Sequence, residues 1–193
     1  MAVTHTSRRG KVYYLHSKAD KKGRLRYFFS TKPEGDLAET VPDGHEIYES
    51  VNAQVFLRMK ARQVVTDEEL ATVLLVLGKR AKEQHVAEWH YKAEIKDDAI
   101  VIHEVCQDYD RLDEFTPFAR SAGLLEFRKQ LARYRPMMRF TLVDESTRFF
   151  HPERMCFRGE DHWISIGQAG PLVLVACKYI KYLGDDEFFE LIY

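Results

Sequence analysis

The chain has 193 residues, a formal net charge of −1, 45% hydrophobic residues and 12% aromatic residues. A chain of this length and hydrophobicity can bury a core, so its composition excludes an intrinsically disordered protein. The near-zero net charge excludes a uniformly positive surface, so a site for a polyanion must be local.

The cysteines and the N-terminal residues indicate the expected compartment. Cys106, Cys156 and Cys177 are far apart and form no Cys-x-x-Cys pair, which argues against a disulfide framework and for a reducing environment. No apolar stretch follows the basic N-terminal residues as it would in a secretory signal, and the longest apolar run, 171–177, is too short to cross a bilayer. We expect a soluble, cytoplasmic protein with no membrane partner and no cofactor or metal.

The basic residues are concentrated near the N-terminus. Residues 8–32 hold nine of the 29 Lys and Arg residues and one acid, Asp20, so this stretch carries +8 and the remainder carries −9. Five aromatic residues lie among these cations. Basic residues interleaved with aromatic ones are typical of surfaces that bind single-stranded nucleic acid, and also of the solvated face of a sheet.

Alternation within this stretch predicts a β-hairpin. Residues 11–16 and 24–30 alternate as strands around a polar loop, 17–23, which ends at Gly23. We expect one face of this hairpin to be apolar and the other to be polar and aromatic. The predicted polar face carries Lys11, Tyr13, Arg24, Arg26 and Phe28.

An acidic connection and a second hairpin follow. The acidic segment 34–49 contains no basic residue, and whether it folds back over the basic face is left open by the sequence. Strands at 45–50 and 54–60 are predicted around Asn52, with Leu57 and Met59 pointing inward. Arg58 and Lys60 then point outward and extend the basic face.

The next segment contains the clearest helix signal. Thr66 and Glu69 form a capping box, and Leu70, Val73, Leu74 and Leu77 form the predicted buried stripe. A third hairpin is predicted from strands at 86–95 and 99–106 around a two-residue turn, Asp97-Asp98.

The C-terminal half continues the same mixture of elements. A helix is expected from Thr116 to before Pro136, followed by strands at 137–143, 149–158 and 162–166. A final helix begins at 170–171 and ends at Gly184; because it is apolar almost all round, we expect it to be central and buried. The last residues, 187–193, are expected to form a strand.

These elements predict an α+β fold built on antiparallel hairpins with about three helices. The predicted organisation is a small antiparallel β region, residues 1–62, packed on a larger body, residues 63–193. The predicted function is that of a non-enzymatic nucleic-acid-associated or regulatory protein that contacts a polyanion through the N-terminal sheet. The candidate binding residues are Lys11, Tyr13, Lys18, Lys21, Lys22, Arg24, Arg26, Phe28, Arg58 and Lys60.

Two other classes of function stay open. The basic stretch could dock an acidic protein or the acidic surface of a second copy, since the charge layout permits head-to-tail contact. A metal-dependent nuclease or hydrolase is the less favoured alternative. It would use Glu88, His90 and His103, which alternation places on one strand face, or the acid-x-Lys pattern at 94–96.

Overall fold

The structure, a computed structural model, describes residues 1–106 and 122–192. These residues form two units, one of residues 1–62 with 122–132 and the other of residues 63–106 with 133–192. The predicted organisation, a small β region of residues 1–62 packed on a larger body of residues 63–193, stays a prediction. The helix start predicted at Thr116 lies outside the described residues. None of the helices in the described ranges is long and apolar enough to cross a membrane.

The described residues form eleven strands, three α-helices and two short 3-10 turns, which confirms the predicted α+β class. The strands are β1 Thr4–Thr6, β2 Val12–Ala19, β3 Leu25–Ser30, β4 His45–Glu49, β5 Val55–Met59, β6 Tyr91–Lys96, β7 Ala99–Val105, β8 Tyr134–Asp144, β9 Phe149–Cys156, β10 His162–Ser165 and β11 Gly170–Pro171. The helices are α1 Asp67–Glu83, α2 Ala122–Leu131 and α3 Leu172–Ile180. The 3-10 turns are Glu88–His90 and Asp186–Glu190.

The first unit contains two small antiparallel sheets. Strands β1, β2 and β3 form one sheet in that order, and β4 and β5 form the other. Leu15 is fully buried and Val55 is 4% exposed. Met59 is 72% exposed, so its predicted inward orientation is wrong.

The β2–β3 hairpin is longer than predicted and its turn is tighter. β2 continues to Ala19, so only residues 20–24 make the turn. The Asp20 carboxylate accepts hydrogen bonds from the backbone N–H groups of Lys22 at 2.8 Å and Arg24 at 3.0 Å. Gly23 has a φ of +75°, a conformation that glycine adopts without strain. The turn therefore depends on one carboxylate and one glycine.

The register of this hairpin changes which side chains share a face. Its pairs are Tyr14 with Ser30, Leu15 with Phe29, His16 with Phe28, Ser17 with Tyr27, Lys18 with Arg26, and Ala19 with Leu25. Directly opposed residues project to the same side of an antiparallel sheet, so even-numbered residues of β2 lie with even-numbered residues of β3. Tyr13 therefore shares a face with buried Leu15, on the side opposite Phe28. The prediction that Tyr13 shares a face with Phe28 is wrong, and Lys11 lies outside β2.

The second unit is organised around a larger antiparallel sheet. Its strands run in the order β10-β9-β8-β7-β6, and β11 pairs with β9. The predicted turn at Asp97-Asp98 is confirmed, since Lys96 pairs with Ala99. The side chains of Ile100, Ile102 and Phe140 are fully buried and belong to one apolar core with residues of α1 and α3.

Helix α1 begins as the sequence predicts. The Glu69 backbone N–H donates to Thr66 Oγ1 at 3.3 Å, and the Thr66 N–H donates to the Glu69 carboxylate at 2.8 Å, which completes the capping box. Val73 and Leu77 are buried, but Leu74 is 45% exposed. The buried stripe is therefore narrower than predicted, because Leu74 lies outside it. It also extends further along the helix, to Ala81.

Helix α3 differs from the prediction in its burial. Val175 and Tyr179 face the core, whereas Val173 is 53% exposed and Leu174 is 63% exposed. Because only one side of α3 is covered, the prediction of a helix buried all round is wrong. The predicted final strand is also wrong, since Asp186–Glu190 form a 3-10 turn with Phe188 fully buried.

Candidate nucleic-acid interface on the first hairpin

An open groove of about 680 Å³ runs along the side of the β2–β3 hairpin that carries Phe28. It is lined by the end of β2, the turn and the start of β3. Of its eight lining residues, five are basic and one is acidic. They are Lys18, Ala19, Asp20, Lys21, Lys22, Arg24, Arg26 and Phe28. The groove therefore has a formal charge of +4.

The single acid of the groove leaves most of this charge uncompensated. Asp20 accepts two backbone hydrogen bonds in the turn, and its other oxygen lies 3.9 Å from Nε of Arg26. Within the described residues, Arg26 is the only groove cation with a carboxylate within 4.0 Å. The other four cations are Lys18, Lys21, Lys22 and Arg24. An anionic ligand would meet these four without displacing an ion pair.

Two carboxylates of the acidic segment 34–49 pair with cations outside the groove. Glu46 accepts a hydrogen bond from Nε of Arg58 at 2.7 Å. Glu49 lies 2.9 Å from Nε2 of His5 and accepts from Nε of Arg8 at 2.8 Å. Burial opposes ionisation of Glu49, but the hydrogen bonds from His5 and Arg8 outweigh it and hold its pKa below the ordinary value. In the described part of the chain, the ion pairs of this segment therefore do not neutralise the groove.

Phe28, the aromatic residue of the groove, packs against the ring of His16. Phe28 stacks on His16 with ring centroids 5.2 Å apart and an angle of 12° between the rings. His16 is 7% exposed, and its Nε2 lies 3.0 Å from the backbone carbonyl oxygen of Lys32. Phe28 itself is 45% exposed. The ring is thus held in place on one side and open to the groove.

The structure brings six of the ten predicted binding residues together in the groove. These are Lys18, Lys21, Lys22, Arg24, Arg26 and Phe28. Lys11, Tyr13, Arg58 and Lys60 do not line it. Arg58 pairs with Glu46 and lies 4.4 Å from the centre of the Tyr48 ring, so its charge is already engaged. The binding role of all ten residues stays a prediction.

Sequence reasoning missed two residues that shape the groove, His16 and Asp20. Asp20 is signalled by the Asp-x-x-Gly pattern of a turn, in which the carboxylate accepts backbone N–H groups. His16 has no comparable local signal, because its role depends on the register that places it opposite Phe28.

The alternative site at His90 and His103 is not assembled as predicted. His90 lies in the 3-10 turn, not on a strand, and its Nε2 is 3.4 Å from Glu104 Oε1. His103 Nε2 is 3.1 Å from Glu94 Oε1. The two imidazoles therefore contact different carboxylates. Among the described residues, no three His, Cys, Asp or Glu side chains are grouped so as to hold a metal ion.

A smaller cavity of about 280 Å³ lies on the second unit and includes Arg139 and Trp163 in its lining. Arg139 donates to the two oxygens of Glu153 at 2.6 and 2.8 Å, and Thr141 donates to the same carboxylate at 2.7 Å. The Arg139 guanidinium also lies 4.6 Å from the Trp163 ring centre. Burial opposes ionisation of Glu153, but these hydrogen bonds outweigh it and lower its pKa. The other charged residues of the lining are Lys96 and three acids, Glu94, Asp97 and Asp98, so this cavity lacks the concentration of positive charge found in the groove.

Comparison of the chain with models of known protein families, with curated proteins and with solved structures gave no match. The geometry of the groove is therefore the basis on which a function can be assigned.

Proposed function

We propose that this protein binds nucleic acid through the groove of the β2–β3 hairpin and acts without catalysis of its own. The observation that carries the proposal is the placement of five cations and one carboxylate around a single open groove. Closely spaced cations attract the phosphate backbone because each contact releases condensed counterions. In this assignment Arg24 and Arg26 contact phosphate, and the turn lysines Lys21 and Lys22 add salt-dependent affinity.

The exposed ring of Phe28 favours nucleic acid over an acidic protein as the ligand. Carboxylate side chains would be satisfied by the cations alone, whereas nucleic acid offers both phosphates and flat bases. Phe28 lies in the same groove as the cations and is 45% exposed. An acidic protein or the acidic surface of a second copy is the runner-up ligand.

Fluorescence anisotropy with labelled RNA and DNA oligonucleotides, measured at several salt concentrations, tests the proposal. We expect the wild type to bind, with an affinity that falls as salt rises, and Arg24→Glu/Arg26→Glu to lose binding. The matched control is Lys79→Glu/Lys82→Glu on α1, which reverses two cations outside the groove and is expected to bind like the wild type. Absence of binding by the wild type at low salt, or equal losses in both double variants, would refute the proposal.

Two further experiments test the alternative ligand, an acidic protein or the acidic surface of a second copy. Gel filtration at low and high salt shows whether copies associate through opposite charges, and poly-glutamate tests an acidic polypeptide directly. Salt-sensitive self-association abolished by Arg24→Glu/Arg26→Glu, or poly-glutamate binding as tight as oligonucleotide binding, would favour a protein ligand.

A further inference from the structure

The even-numbered face of the hairpin places charge and aromatic surface in adjacent rows. Lys18 lies opposite Arg26, and His16 lies opposite Phe28 in the next row on the same face. Side chains two residues apart on a strand are separated by about 7 Å, since the strand rises about 3.4 Å per residue. A nucleotide whose phosphate meets the cationic row can therefore reach the aromatic row with its base.

The Phe28 ring stacks on His16 with one face, and the residue is 45% exposed. His16 covers one face at 5.2 Å, in a nearly parallel arrangement. His16 is itself buried and anchored at the Lys32 carbonyl oxygen, so the pair forms a fixed platform. A fixed ring loses little conformational entropy when a base stacks on it, which favours binding.

A base can stack on such a platform only when it is unpaired. Within a duplex, both faces of a base are covered by its neighbours, and side chains reach only its edges. Single strands can splay a base out against an aromatic ring, and such stacking tolerates any sequence because every base has a flat face.

Building on the proposed function, we infer that the ligand is single-stranded nucleic acid and that one unpaired base stacks on Phe28. Lys18 and Arg26 hold the neighbouring phosphate, and His16 is a positioning residue that fixes the Phe28 ring. The groove thereby selects single strands over duplex and over polyanions that lack bases.

The test compares three ligands of matched length: a single-stranded oligonucleotide, the same strand with abasic sites throughout, and the duplex. The proteins are the wild type, Phe28→Leu, Phe28→Trp, His16→Leu and Arg24→Gln. Phe28→Leu keeps an apolar side chain without a ring, Phe28→Trp keeps an aromatic face, and Arg24→Gln removes charge only. Because Phe28 is 45% exposed, the two Phe28 variants leave the buried core unchanged.

We expect the wild type to prefer the normal single strand over the abasic strand by about tenfold, the effect typical of one stacked base. Phe28→Leu should bind both strands equally with an unchanged salt dependence, and Phe28→Trp should restore the preference. Arg24→Gln should weaken both strands by the same factor. His16→Leu should reduce the preference, with the salt dependence unchanged.

The failures of the two proposals are distinguishable. Equal wild-type affinity for the normal and abasic strands, or for the duplex, would overturn the stacking inference and leave the cationic groove intact. Retention of the full preference in Phe28→Leu would do the same. Failure of all three ligands to bind the wild type would overturn both proposals.

Discussion

The salt dependence of binding gives a quantitative prediction, because it counts the cations that meet phosphates. On single strands each such contact contributes about 0.7 to the slope of log affinity against log salt concentration. Within the described residues, four groove cations have no carboxylate within 4.0 Å, namely Lys18, Lys21, Lys22 and Arg24. Arg26 also meets phosphate, but Asp20 already offsets its charge, so its contact is not counted in the slope. The wild type should therefore show a slope of about −2.8 with a single-stranded oligonucleotide.

Two substitutions in the groove should move this slope in opposite directions. Arg24→Gln removes one contact and should reduce it to about −2.1. Asp20→Asn keeps an acceptor oxygen for the turn but removes the negative charge that lies 3.9 Å from Arg26. Asp20 no longer offsets the charge of Arg26, so the phosphate contact of Arg26 counts in full, and this variant should bind more tightly with a slope of about −3.5.

Anisotropy titrations of the three proteins at several salt concentrations give the slopes directly, with Lys79→Gln on α1 as the control expected to match the wild type. A wild-type slope shallower than about −1 would mean that about one phosphate or fewer is neutralised. That result, or slopes that do not respond to Arg24→Gln and Asp20→Asn, would refute the assignment of phosphate to the groove.

Four further predictions concern stability. Gly184 has a φ of +80°, and a Cβ there would clash with the Gln84 side chain. Gly184→Ala should therefore lower the free energy of unfolding, measured by urea titration, by about 1–3 kcal/mol. Gly78→Ala should raise it by about 0.5–1 kcal/mol in the same urea titration, since Gly78 lies in α1 with open space on the side that a Cβ would occupy. Thr66→Ala removes the cap of α1 and should cost about 1 kcal/mol; no loss would contradict the capping role. In the folded protein the pKa of Glu153 is lowered from its ordinary value of 4.5. The ionised side chain therefore contributes its full stabilisation of the fold above pH 4.5, and this contribution is lost as the pH falls through the folded pKa. Thermal melts should therefore show a flatter acid dependence for Glu153→Gln than for the wild type, and parallel curves would contradict this.

The elements predicted correctly are those with signals confined to a few neighbouring residues. The capping box at Thr66 and Glu69 fixes the start of α1, because each side chain hydrogen-bonds the backbone of the other residue. The turn at Asp97-Asp98 is similarly local. In both cases the interacting residues lie within a few positions of each other along the chain.

The incorrect predictions depend on contacts between distant residues or on the exact length of a turn. Helix α3 is apolar on all sides in sequence, yet only one of its sides meets the sheet core, which leaves Leu174 63% exposed. The predicted hairpin loop of 17–23 is longer than the observed turn, and an error in loop length leaves the relative register of β2 and β3 undefined. A one-residue change in register exchanges the two faces of a strand, so the sequence alone assigns Tyr13 to the groove and misses His16.

The basic residues near the N-terminus fall into two groups, which composition alone cannot distinguish. Arg8 and Arg9 support the fold of their own unit, since Arg8 contacts Glu49 and Arg9 donates to the Ala132 carbonyl oxygen at 2.6 Å. Among the described residues, the side chains of Lys18, Lys21, Lys22 and Arg24 form no such contact, and the mutual repulsion of the groove cations opposes folding. Such a cost is expected where function requires like charges to be held together. The single acid of the groove, Asp20, is committed to the turn, so it fixes the hairpin while leaving the groove at +4. The same carboxylate therefore fixes the shape of the turn and offsets one of the five positive charges around the groove.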